Sequence, residues 1–184
     1  MGKVDWEVRL LGMEELSDGA LESFDRFQLT KRVRVRKQDG HVIRDTHFTD
    51  DWDEKGKMEV VKSLRKCLEQ GGSVSGAFRE GRLLGFASVE SGFFGSDRSY
   101  LQLSSLHISR EARHQGLGKR LFRICCEEAR RMGAGKLYIS AHSSEETQGF
   151  YESVGCVDAK EINPVLLARE PFDIQLEFDL EKEL

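Results

Sequence analysis

No apolar run in this 184-residue sequence approaches the roughly 18 to 20 residues that a membrane-spanning helix needs. The opening Met1–Trp6 has no apolar leader core, and Trp6 stands where N-myristoylation asks for Ser or Thr, so neither export nor lipid anchoring is expected. A surplus of basic residues is also missing: net charge is −4, which gives no electrostatic reason to expect a nucleic-acid partner. The four cysteines, Cys67, Cys125, Cys126 and Cys156, form no CxxC pair. The adjacency of Cys125 and Cys126 suits neither zinc nor a mutual disulfide. They read as reduced core thiols of a cytoplasmic protein, with no base in the sequence to make one a nucleophile and no metal site implied. Internal repeats, low-complexity tracts and linkers are absent, so residues 1–184 read as a single domain.

What is present is 39% apolar and 33% charged residues, the balance of a globular chain with a core. Trp6–Leu10 alternates as a strand, and Met13–Phe27 has helical spacing in Leu16, Ala20, Leu21, Phe24 and Phe27. Lys31–Lys37 and His41–Phe48 flank Asp39-Gly40 as a hairpin. A helix is expected from the acidic start Asp51–Glu54 to Gln70, stopped by Gly71-Gly72, with Val60, Val61, Leu64 and Leu68 buried. Ser73–Arg79 and Arg82–Glu90 form a second hairpin, followed by a strand at Tyr100–Ile108. A helix over 116–132, a strand at Lys136–Ala141, a helix over 145–154 and strands at 156–162 and 172–180 complete the chain. This order predicts an α/β (α+β) fold: a mixed, largely antiparallel sheet of about seven strands with helices on both faces.

The informative stretch is Arg113-His114-Gln115-Gly116-Leu117-Gly118-Lys119, where a strand and short turn lead into an amphipathic helix. Glycines at a helix start let backbone N–H groups approach a phosphate, and the helix end adds positive partial charge. Arg113, Lys119 and Arg120 are available as formal charges, so the segment reads as a di- or polyphosphate site. It lacks the Gly-Lys-Ser/Thr of a Walker loop, and its spacing is not the Rossmann fingerprint.

The same stretch resembles the acetyl-CoA motif of the GNAT N-acetyltransferase superfamily, Arg/Gln-x-x-Gly-x-Gly/Ala. Gly149–Cys156 resembles the family's second signature, Phe-Tyr-Glu-x-x-Gly-Phe, and Arg82–Val89 resembles the strand before its core. The resemblance covers nearly the whole chain and implies a GNAT fold with acetyl-CoA as co-substrate. It implies that backbone groups of Leu106, His107 and Ile108 pair with the pantetheine arm. The N–H groups of the loop, His114 through Gln115, Gly116, Leu117 and Gly118 to Lys119, would hold the pyrophosphate. Tyr151 would protonate the departing thiolate. The acceptor would be a primary amine of a small molecule or peptide. Homodimers occur in the family.

The sequence departs from the family where a base is expected. Gln102 and Ser104 occupy those positions and do not titrate near neutrality. His107 is a further candidate base, but it should face the other way on a period-2 strand, which favours a packed or capped histidine. Glu90 is the alternative base if it pairs near Tyr100, with Ser88 near Gln102; otherwise it is a solvated strand end. A catalytically weak acetyl-CoA sensor therefore remains the alternative to an enzyme. Ser144 stands where many members have Asn, and could bond the CoA arm. Arg32, Arg34, Arg36, Lys37 and Arg44 read as a solvated strand face, or else as recognition of an anionic acceptor, and Asn163–Pro171 as a loop bordering the acceptor pocket.

Overall fold

A computed structural model describes residues 5–182; the Met1–Val4 part of the opening segment lies outside the described residues. Seven strands form one sheet in the order β1-β4-β5-β6-β7-β9-β8, and β2 and β3 form a separate two-stranded sheet. The strands are β1 (Glu7–Leu10), β2 (Gln28–Lys37), β3 (Gly40–Asp50), β4 (Ser73–Arg79), β5 (Arg82–Val89), β6 (Tyr100–Ile108), β7 (Lys136–Ala141), β8 (Val157–Asp158) and β9 (Ile174–Asp179). Among the described residues only β6 and β7 are parallel neighbours; every other pairing is antiparallel.

Helix α1 (Glu54–Glu69) starts where Asp53 Oδ1 accepts the Gly56 N–H at 2.7 Å, and it buries Val61, Leu64 and Cys67. These pack with Val74, Leu83 and Phe86 on one face of the sheet. Helix α2 (Leu117–Arg131) buries Leu117, Leu121, Phe122, Cys125 and Ala129 against Ala77, Leu84, Ala87 and Val89 on the opposite face. Glu128, the polar residue in that stripe, is held by Arg131 at 2.7 Å. Helix α3 (Glu145–Ser153) joins α2 on that face. All four cysteines are buried and unpaired, and burial pushes the Cys67 thiol up to about 12. Among the described residues, no helix is long and apolar enough to cross a membrane.

Two expectations fail locally. Met13–Phe27 is not a helix: a 3-10 turn at Met13–Glu15 is followed by further turns, while Leu16, Leu21 and Phe24 are still buried. Gly12 and Gly19 bracket a stretch too short to repay helix nucleation, and the apolar residues reach the core through turns. The expected loop Asn163–Pro171 contains a helix, α4 (Pro164–Arg169). Asn163 caps it by accepting the Val165 and Leu166 N–H groups, and Pro164 sits in its first turn, where no N–H is needed. Strand β8 is correspondingly short.

Candidate active site

Strands β6 and β7 pair only from Tyr100↔Lys136 to Gln102↔Tyr138. Beyond that they diverge. β7 stays with β9 as far as Ala141↔Ile174, while β6 stays with β5 as far as Gly85↔Ile108. The edge of β6 from Leu103 to Ile108 that faces β7 therefore has no strand partner. A cleft of about 790 Å3 opens in the gap, lined by Leu106, His107 and Ile108 on one side and by Ala141, Thr147 and Tyr151 on the other.

The cleft ends at the start of α2. Arg110–Ala112 forms a 3-10 turn, His114 adopts φ 60°, and Gly116 caps the helix at φ 78°. The first helical bond runs from the Arg120 N–H to the Gly116 carbonyl at 3.2 Å, so the N–H groups of Leu117, Gly118 and Lys119 have no acceptor within the helix. No acid stands in this first turn. Arg113, His114, Gly116, Leu117, Gly118 and Lys119 all line the cleft.

The cations behave differently from the expectation. Arg113 spends its guanidinium on the carbonyls of Ile108 and Arg26, each at 3.1 Å. Arg120 reaches the Trp6 carbonyl at 3.4 Å. Both brace the loop, and Lys119 is left as the exposed charge beside the helix start. Gln115 lies outside the lining: its amide donates to the Glu111 carbonyl and accepts from the Trp6 indole, both at 3.2 Å.

Tyr151 projects from α3 into the cleft, 6% exposed, against Phe122 and Phe150. Its hydroxyl has no hydrogen-bond partner among the described residues, and burial raises its pKa well above the ordinary phenol value. It stays protonated across the working range. Ser144 is the N-cap of α3. Its hydroxyl accepts the Thr147 N–H at 3.2 Å and donates to the Thr147 hydroxyl at 2.8 Å, and it stands outside the lining.

A β-bulge in β6 changes which residues share a face. Ser88 pairs with Ser105, but Val89 pairs with Leu103, so Ser104 is the extra residue. Leu101 and Leu103 join the core beneath α2, as do Leu106 and Ile108 beyond the bulge. His107 is thereby brought to the face of Gln102 and Ser104, contrary to strict alternation. It is nevertheless the packed histidine expected, with ring centroids 5.0 Å from Trp52 and 5.4 Å from Phe86. Burial, with Arg26 and Arg113 nearby, lowers its pKa to about 3, so it is a neutral, weak base.

The pairing of Glu90 also differs from the register expected. Its N–H donates to the Gln102 carbonyl at 2.9 Å, and Ser88 faces Ser105 rather than Gln102. The Glu90 carboxylate accepts from the Ser104 hydroxyl at 2.5 Å and stands behind it, outside the lining.

On the face of the sheet opposite α2, the cleft is closed by groups that the sequence did not single out. Arg26, 9% exposed, lies over Trp52 at 5.5 Å and donates to Gln28 at 2.8 Å. Burial lowers its pKa, and its Nε finds no partner. Asp50 closes the hairpin, with one oxygen 3.6 Å from His142 Nε2. His142 Nδ1 accepts the Ser144 N–H at 3.1 Å. Asp173, on the segment after α4, accepts from the Ser140 hydroxyl at 3.1 Å, and burial raises its pKa. His142 had a signal, as a polar residue at the C-terminal end of a strand in an α/β fold. Asp173 had none, because its place depends on α4. The basic residues of β2 are not in the lining: Arg32 pairs with Glu145 at 3.2 Å, and Arg34 holds Glu152 with a second contact at 2.8 Å.

Among the described residues, then, a largely antiparallel sheet opens between its one parallel pair, and the opening leads to the free N–H groups at the start of α2. Residues 38–156 match the acetyltransferase (GNAT) family, and the chain belongs to that family. Among solved structures it is similar to nourseothricin acetyltransferase, at 18% identity and a TM-score of 0.67, covering 95% of this chain and 98% of that one. A protein from Bacillus anthracis assigned as a streptothricin acetyltransferase, solved with acetyl coenzyme A, gives 12% identity and a TM-score of 0.69 over 94% and 96% of the chains. The PaiA N-acetyltransferase of Thermoplasma acidophilum, solved with coenzyme A, gives 13% identity and a TM-score of 0.59 over 95% and 99%. At these identities the likeness is one of fold. A comparison with curated proteins by sequence finds no match.

Proposed function

We propose that this acetyltransferase takes its acetyl group from acetyl-CoA and passes it to a primary amine of a small molecule or peptide by direct attack on the thioester, with the chain working as a single domain. The observation that carries the reading is the unpartnered edge of β6, Leu103–Ile108, leading to the free N–H groups of Leu117, Gly118 and Lys119. An extended amide-bearing arm can add to such an edge as a strand would. A pyrophosphate fits the helix start, where αL geometry at His114 and Gly116 turns the backbone and the first turn of α2 carries no acid.

Bound there, acetyl-CoA would supply the activated thioester. Leu106, His107 and Ile108 would orient its arm through backbone groups, and Lys119 would add charge at the phosphates. Tyr151, kept protonated by burial, would hold a proton for the departing thiolate. A protonated phenol in the cleft favours turnover over a sensing role.

Isothermal titration with CoA and with ATP, followed by thiol release from acetyl-CoA over polyamines, amino acids, aminoglycosides and peptide N-termini, tests the proposal. CoA binding without ATP binding, and thiol release with at least one amine, are expected. CoA binding without release from any amine would favour the sensor.

A further inference from the structure

The residues usually looked to for a base do not supply one in this cleft: Gln102 and Ser104 do not titrate usefully, His107 is neutral and packed, and Glu90 stands behind Ser104. Asp173 does reach the cleft, and it is held by a chain of hydrogen bonds with one direction. The Asn163 N–H donates to the Tyr138 hydroxyl at 2.9 Å, and that hydroxyl donates to Gln175 Oε1 at 2.8 Å. Gln175 Nε2 donates to the Ser140 hydroxyl at 2.9 Å, and Ser140 donates to Asp173 Oδ2 at 3.1 Å. Each donor is fixed by the one before it, so the chain can end only on an acceptor.

Its interior is buried: Tyr138 is 0% and Gln175 2% exposed. A buried polar series of this kind is costly unless fully satisfied, and here every link is made. It leaves Asp173 Oδ1 without an assigned partner in the cleft, beside Tyr151, whose phenol feels its charge. The other titratable groups around it are Glu170 at the end of α4 and His142 just after β7.

Building on the function proposed above, we infer that Asp173 binds the acceptor as its ammonium ion and removes the proton that blocks attack. One proton passes from R–NH3+ to the carboxylate, leaving R–NH2. The nitrogen then forms a C–N bond to the acetyl carbonyl carbon as the C–S bond breaks. The thiolate takes the proton of Tyr151, the second nitrogen proton returns to the Tyr151 oxygen, and Asp173 releases its proton to solvent. Burial makes Asp173 a stronger base than an ordinary aspartate, and the Ser140 hydrogen bond limits that effect.

The test uses the full chain, acetyl-CoA and the amine of the panel that gives most thiol release. Asp173→Asn should bind CoA within about twofold of wild type and lose about 100-fold or more in kcat/KM for the amine, the scale of a lost general base. The acid limb of its pH profile should vanish. Ser140→Ala, which keeps the carboxylate but removes a bond that favours its charged form, should move that limb to higher pH. Asp173→Asn retaining activity within threefold of wild type, an unmoved limb in Ser140→Ala, or inactivity of Glu90→Gln beside an active Asp173→Asn would each overturn the inference while leaving acetyl-CoA dependence standing. A wild type that releases no thiol with any amine would sink both.

Discussion

Gly118 of α2 packs directly against Phe150 of α3: a Cβ on Gly118 would lie 2.9 Å from Cε2 of the Phe150 ring. Phe150 is fixed in turn by edge contacts with Phe122 and Tyr151, so it has little room to retreat. The requirement for glycine at this position thus comes from helix packing, whereas at Gly116 it comes from the left-handed φ of 78°, where an added Cβ would meet nothing within 4 Å. Gly118→Ala should therefore cost about 1–3 kcal/mol, as overpacking does. In Gly118→Ala/Phe150→Leu much of that loss should return. Urea denaturation of the four proteins of this cycle measures it, and strictly additive losses would contradict the packing explanation.

His107 gives a pH prediction with a definite sign. Its folded pKa, about 3, lies below the ordinary value of 6.5, so below pH 6.5 the unfolded chain binds a proton that the native one refuses. Stability from this group is complete above pH 6.5 and is lost as pH falls toward 3, at no more than about 1.4 kcal/mol per pH unit. His107→Gln should flatten the stability curve in that window. An unchanged slope would mean that His107 protonates freely in the native state.

Much of the loop and helix start at 113–119 was legible because its signal is local: the spacing Arg113-x-x-Gly116-x-Gly118, a strand before it and an amphipathic stripe after it. The roles of the two cations were not, because the carbonyls of Ile108, Arg26 and Trp6 that occupy Arg113 and Arg120 lie far away or around a turn. Strand limits such as Tyr100–Ile108 and Lys136–Ala141 could be read from alternation. The bulge at Ser104 could not, since one extra residue leaves no compositional mark yet inverts the facing of everything beyond it. The side of the cleft away from α2 was least legible. Arg26, Asp50, His142 and Asp173 come from four separate segments, and only the tertiary fold makes them neighbours.

The hairpin of β2 and β3 is anchored to α3 by Arg34. Its N–H donates to the Ser143 carbonyl at 2.8 Å, and its guanidinium pairs with Glu152. Because Glu152 is largely exposed, the ion pair itself should contribute no more than about 1 kcal/mol, measured as the coupling in an Arg34→Ala/Glu152→Ala cycle. The functional effect should be one-sided. With Asp50 at the base of the hairpin lining the cleft, Arg34→Ala should raise KM for the amine while leaving CoA affinity within about twofold, as loss of uniform substrate binding does. Equal losses for both ligands would show that the hairpin supports the whole cleft.

Tyr151→Phe separates chemistry from packing most cleanly, because the ring keeps its contacts with Phe122 and Phe150 and only an unpartnered hydroxyl is removed. Folding stability should therefore hold or rise slightly. If the hydroxyl supplies the proton for the departing thiolate, kcat should fall about 10-fold or more, with KM for acetyl-CoA nearly unchanged. Burial holds the phenol far above the ordinary tyrosine range, so the wild type should show no alkaline limb from its ionisation below that range. Steady-state kinetics against pH for both proteins decide the matter. An unchanged kcat in Tyr151→Phe would remove this residue from the reaction, and an alkaline limb lost on substitution would show that the phenol ionises within the working range.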